Sequence, residues 1–148
     1  RFDLIRLVRD VIKDIKQDSN SNLDAQIIRF STRANKIEVQ GDREKLGEVI
    51  SNLVSNALKF TGSGTITISA KKTQGEVTVS VKDSGTGIYP SILPKLFTKF
   101  ASKSDGGTGL GLYICKNIVE AHGGKIWAKN NTGSKGATFW FSIPASPK

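Results

Sequence analysis

Three stretches of this sequence carry residue types suited to chemistry on a nucleotide. The first is Asn52-Leu-Val-Ser-Asn56-Ala-Leu-Lys59-Phe60-Thr61. At about 100° per residue, Glu48, Asn52, Asn56 and Lys59 share one side of a helix. Leu46, Val49, Ile50, Leu53, Val54 and Ala57 take the other. A polar helix face is ordinarily a solvated one. Asparagine lowers helix propensity, however, where Glu, Lys or Gln would serve better. An exposed face gains nothing from that choice, whereas a face offering amide oxygens to a cation and a lysine to phosphates does. Taken alone, the helix leaves both readings open.

The second stretch, Asp83-Ser-Gly85-Thr-Gly87-Ile88, follows an apolar alternating segment. A strand-ending turn with an Asx-type hydrogen bond would account for it. The chemical alternative is an acceptor-only carboxylate in an apolar pocket. Such a group takes a hydrogen bond from the exocyclic amine of adenine, which guanine lacks at that position. The glycines would let the backbone approach the base. The third stretch, Gly106-Gly107-Thr108-Gly109-Leu110-Gly111-Leu112, is a glycine-rich run opening a helix, whose free N–H groups and dipole attract phosphate. No lysine follows as in a Walker A loop, and the spacing is not GxGxxG.

The elements that must position these residues follow from periodicity. Phe2, Leu4, Ile5, Leu7, Val8, Val11, Ile12 and Ile15 are spaced for a helix over 2–15, with Asp3 as N-cap. Short β-rich pieces cover Ile27–Ser31 and Lys36–Val39, and a second helix runs from about Arg43 to Phe60. Thr65–Lys72 and Glu76–Lys82 alternate around Gln74-Gly75 and predict a hairpin. A short helix is expected from Pro90, and another from about Leu110 to His122, stopped by Gly123-Gly124. Strands at Lys125–Lys129 and Ala137–Ile143 complete one α+β domain over 1–148.

Composition bounds the partners. The net charge of +9 admits nucleic acid, acidic lipid or nucleotide phosphates. The bases are scattered and do not choose among these. No basic–aromatic interleaving or recognition helix suggests itself, so no nucleic-acid partner is expected. One histidine and one cysteine exclude a His/Cys zinc site, and Cys115, in LYICKNIV, is expected to be a buried thiol. No apolar run approaches the roughly 20 residues that span a bilayer. The piece is expected to be soluble and cytoplasmic.

In this order and spacing the motifs resemble the conserved boxes of sensor histidine kinases. Asn52-xxx-Asn56-Ala-x-Lys59-Phe60-Thr61, DSGTGI, Phe97-xx-Phe100 and GGTGLGL are similar to their N, G1, F and G2 boxes. The likeness runs from Phe2-Asp-Leu through Asp42-Arg-xx-Leu46 to AHGGKIWAKNNTGSKGATFWFSIP. It implies the fold of the wider group that includes gyrase, HSP90 and MutL, a two-layer α+β sandwich with helices on one face of a mixed sheet. It also implies ATP and Mg²⁺. By position, Asn56 would hold the metal, Lys59 would neutralise phosphate, and Asn52 would support both. Phe60 would pack near base or ribose, and Asp83 would bind the adenine amine beside Gly85 and Gly87. Ile88 and Leu112 would wall the pocket, and Thr138 is a further candidate through water. Gly107, Thr108, Gly109, Leu110 and Gly111 would form the lid and phosphate cradle, with Lys99 and Lys103 as candidates to reach the γ-phosphate.

In the hydrolysing branch of that group a glutamate stands one helical turn before the metal-binding asparagine and activates water. Here that position is Asn52, an amide, and Glu48 lies a further turn back. Slow hydrolysis is therefore expected, with the γ-phosphate kept for a protein nucleophile. His122, before Gly-Gly at a helix C-terminus, is expected to cap. The resemblance places the acceptor histidine on a separate upstream dimerisation domain of a homodimeric parent that serves a response regulator. This piece by itself would be monomeric. Serine kinases of the anti-sigma-factor type and ATPases of the same wider group share these boxes and remain the alternatives.

Overall fold

The computed structural model describes residues 1–17, 26–61, 64–99 and 111–145, with the side chains of Gln26, Ile27 and Phe60 left aside. Phe2–Asp3 form β1, which pairs antiparallel with β3 (Glu38–Val39). The first helix, α1, therefore starts at Leu4 and runs to Gln17, two residues later than periodicity suggests. Asp3 explains the boundary. Its Oδ1 accepts from the N–H of Ile5 at 3.0 Å, capping α1, and from that of Ile37 at 3.0 Å. One carboxylate thus starts a helix and fixes the chain that enters β3.

The second helix, α2, covers Arg43–Thr61, and α3 covers Gly111–Ala121. Asp42 caps α2 by accepting from the N–H of Lys45 at 3.1 Å. Five strands form the main sheet: β2 (Gln26–Ser31), β4 (Gly64–Thr73), β5 (Glu76–Asp83), β6 (Lys125–Asn130) and β7 (Ala137–Pro144). Their order is β2-β4-β5-β7-β6, with β2 parallel to β4 and every other pair antiparallel. The parallel pair is joined through α2, as such a pair must be joined by a crossover. The helix expected from Pro90 is only a 3-10 turn at Leu93–Lys95. Pro94 lacks the N–H that a continuing helix would donate.

Alternation decides which side of the sheet is dry. Ile66, Ile68 and Ala70 of β4, Val77, Val79 and Val81 of β5, and Phe139, Phe141 and Ile143 of β7 are buried. They meet Val49, Ile50, Leu53, Val54 and Ala57 of α2, and Cys115 and Val119 of α3, in one core. The fold is the two-layer sandwich expected, with α2 and α3 on one face of the sheet and α1 packed on α2. No helix among the described residues is long and apolar enough to cross a membrane.

Candidate functional site

Asp83 ends β5 on the inward row begun by Val77, Val79 and Val81, so its side chain enters the layer between sheet and helices. It is 4% exposed. Its Oδ1 accepts from the N–H of Gly85 at 2.9 Å and of Ala137 at 3.2 Å. The first is the Asx-type bond read from the sequence. The second, from β7, shows the residue to be part of the tertiary structure as well. Oδ2 has no partner among the described residues, so one oxygen is fixed by backbone and the other is open to a ligand. Oδ2 is not among the buried unpaired atoms, so solvent, and hence a ligand, reaches it.

The loop after Asp83 is held from outside by residues that sequence reasoning missed. Asn130 accepts from the N–H of Ile88 at 2.7 Å and donates to its carbonyl at 3.0 Å. Asn131 donates to the carbonyls of Asp83 and Lys135, both at 2.9 Å, and accepts from the hydroxyl of Thr138 at 2.7 Å. Gly136 lies so close that a Cβ there would meet the Asp83 carbonyl oxygen at 2.1 Å, and its φ is +98°. Gly87, at φ +85°, would drive a Cβ to 2.9 Å from the Asn130 amide oxygen. Asparagine is disfavoured in strands. Two in succession at the end of β6 were the available signal.

The polar face of α2 forms as expected, with Asn52 and Asn56 half-buried and Lys59 exposed near its C-terminal end. Asn52 contacts Cys115 of α3, whose thiol also donates to the Val49 carbonyl at 3.9 Å. Burial pushes that thiol up to about 11, with a hydrogen bond from Asn52 opposing the shift and the charge of Glu48 adding to it. Glu48 is exposed and lines the groove between α1 and α2 with Asp10, Asp14 and Glu44. Thr61, last in α2, keeps a buried hydroxyl without a partner among the described residues.

Ile88 and Leu112 are half-buried against the core. Phe97, partly buried, packs edge-on to Phe139 with centroids 6.4 Å apart and so lies against the core. Lys99 places its ammonium 5.2 Å from the ring centroid of Tyr113, in the first turn of α3. Gly111 is the first residue of α3. Lys103, Gly107, Thr108, Gly109 and Leu110 lie outside the described residues, as do Phe100 and the Phe60 side chain. His122 does cap: its Nδ1 lies 2.8 Å from the Ile118 carbonyl. Its Nε2 also accepts from the N–H of Asp42 at 3.0 Å, so the proton sits on Nδ1 and the ring ties α3 to the start of α2.

The sandwich thus carries a buried carboxylate at the end of β5 and an asparagine-bearing helix on the same face of the sheet. Residues 41–147 match the family described as histidine kinase-, DNA gyrase B-, and HSP90-like ATPase, and the chain belongs to that family. It is a histidine kinase catalytic domain. The nucleotide-free catalytic domain of histidine kinase ThkA superposes with a TM-score of 0.87 at 36% identity, covering 97% of this chain and 93% of that one. ThkA in complex with the response regulator protein TrrA superposes at 0.80 with 36% identity, covering 99% and 41%. The sensor protein KdpD of Clostridium acetobutylicum is 42% identical over 147 residues, 95% of this chain but 16% of its own length.

Proposed function

We propose that this domain binds Mg-ATP and presents its γ-phosphate to a histidine on a separate dimerisation domain of the same kinase. The observation that carries the nucleotide is Asp83, buried, with Oδ1 saturated by two backbone amides and Oδ2 unpaired. Oδ2 accepts the adenine amine, and Ile88 and Leu112 wall the base. Lys59 meets phosphate from the α2 face. Asn56 would hold Mg²⁺ through its amide oxygen, and the ion would spread phosphate charge. Asn52 supports that region, and Lys99, beside the start of α3, and Lys103 are the candidates to meet the γ-phosphate.

Transfer to a protein, as opposed to water, follows from Asn52. An amide takes no proton at neutral pH, so nothing on that turn of α2 activates water. The nearest carboxylate on the helix, Glu48, lines the α1–α2 groove. A response regulator receives the phosphate in a later step, in line with the ThkA–TrrA complex. The domain acts on the cytoplasmic side, as a monomer apart from the homodimeric parent. Calorimetric titration of ATP and GTP, each with Mg²⁺, into this chain and into Asp83→Asn tests the reading. ATP should bind selectively and weaken roughly 10- to 150-fold in the variant, the worth of a hydrogen bond to a charged group. Absence of ATP binding by the folded chain would refute it.

A further inference from the structure

The face of the sheet turned away from the helices has a composition of its own. Register places Arg29, Thr67, Lys82, Thr138 and Lys129 in one row across all five strands. The next row is Ser31, Ser69, Ser80, Trp140 and Trp127, and the next joins Lys71, Thr78, Ser142 and Lys125. Of the described outward positions only Glu76, at the far end of β5, bears a carboxylate. Arg29, Lys71, Lys82, Lys125 and Lys129 are exposed, and no described helix covers them. Along β6 the order is Lys125, Trp127, Lys129, which is basic–aromatic interleaving on a strand face and was missed in the sequence.

The two indoles stack on each other, with centroids 5.9 Å apart and planes 12° from parallel, and both remain partly exposed. Each therefore gives one ring face to the other, so no base can sit between them and only outer faces remain for stacking. The cations are spread over a flat face about 19 Å wide, four strand spacings, with no groove that would track one phosphate backbone. A two-dimensional cationic array around amphipathic rings fits a surface that is itself charged in two dimensions and wet on one side. Tryptophan and lysine both favour the water–lipid boundary.

We propose that this sheet face docks on the anionic surface of a phospholipid bilayer, with Trp127 and Trp140 at the headgroup level and the five cations around them. The proposal does not depend on the nucleotide reading, since its residues lie on the opposite side of the sheet from Asp83. Trp127 and Trp140 are the only tryptophans in the chain, so intrinsic emission reports on this face alone.

The test titrates the chain with vesicles of phosphatidylcholine alone and with phosphatidylglycerol added, read by co-sedimentation and tryptophan emission. Association and a blue shift are expected only with phosphatidylglycerol, and raised salt should reverse both. Replacing Lys125 and Lys129 together by Gln should weaken association about 25-fold, at about five-fold per cation. Lys125→Glu with Lys129→Glu should weaken it further, and circular dichroism reports whether each variant is folded. The proposal is overturned by no association at low salt, by association without an emission change, or by folded variants that associate like the parent. It is equally overturned if a single-stranded oligonucleotide shifts the emission while phosphatidylglycerol vesicles do not.

Discussion

Asn130 grips the backbone of Ile88 from both sides, accepting its N–H at 2.7 Å and donating to its carbonyl at 3.0 Å. A side-chain amide here imitates one more rung of sheet where β5 has already ended. The loop carrying Gly85 and Gly87 is thereby held at β6, the far edge strand. Asn130→Ala removes both bonds and should cost about 1–3 kcal/mol in urea unfolding. ATP affinity should fall with it, because Ile88 is no longer fixed, and Asn130→Asp should recover only the half that accepts from the N–H.

Gly136 is the second support of that loop. Its φ of +98° and the Asp83 carbonyl, 2.1 Å from where a Cβ would stand, leave no room for alanine. Gly136→Ala should destabilise the domain by roughly 2–4 kcal/mol, combining backbone strain with displacement of β5. Thermal unfolding measures the loss. Saturating ATP should restore part of it, because the ligand binds only the folded form.

Asn52 makes the division between transferring and hydrolysing chemistry testable by a gain. Asn52→Glu places a carboxylate one turn before Asn56. If the amide is what withholds water activation, steady-state ADP release should rise about 100-fold, the lower end of what a positioned base supplies. Unchanged release with ATP still bound would show that the amide is not what limits hydrolysis.

Cys115 predicts a pH dependence of stability. Burial holds its thiol up at about 11, above its unfolded range, so the folded state keeps a proton that the unfolded chain loses first. Its contribution is complete below the ordinary thiol range and is lost as pH rises toward 11. The difference between wild type and Cys115→Ala should shrink over that window by about 3 kcal/mol. Subtracting the variant removes the lysines and tyrosines that titrate alongside. The same burial should protect the thiol from alkylation at neutral pH until the domain unfolds.

What could be read from the sequence was what is local. The α2 face, the hairpin of β4 and β5 and the Asp83 turn each declare themselves within about twenty residues of continuous chain, by period or by turn chemistry. The Asn130 and Asn131 clamps did not, because their partners lie 42 and 48 residues away and neither residue belongs to a local pattern. Phe2–Asp3 looked helical because a two-residue strand has no period to show; only Glu38 and Val39 across from it make it β. The tryptophan pair needed register: Trp127 and Trp140 are unremarkable apart and adjacent once β6 lies on β7.

His122 joins the last turn of α3 to the first residues of α2, and Gly41 leaves space for its ring, 2.5 Å from where a Cβ would otherwise stand. The helix begins about 15 Å away, at Gly111, and is tied a second time in its middle, where Cys115 rests on Val49 and Asn52. One helix therefore meets α2 at both its first residues and its asparagine face, so the two ends of that face are registered against a single common part.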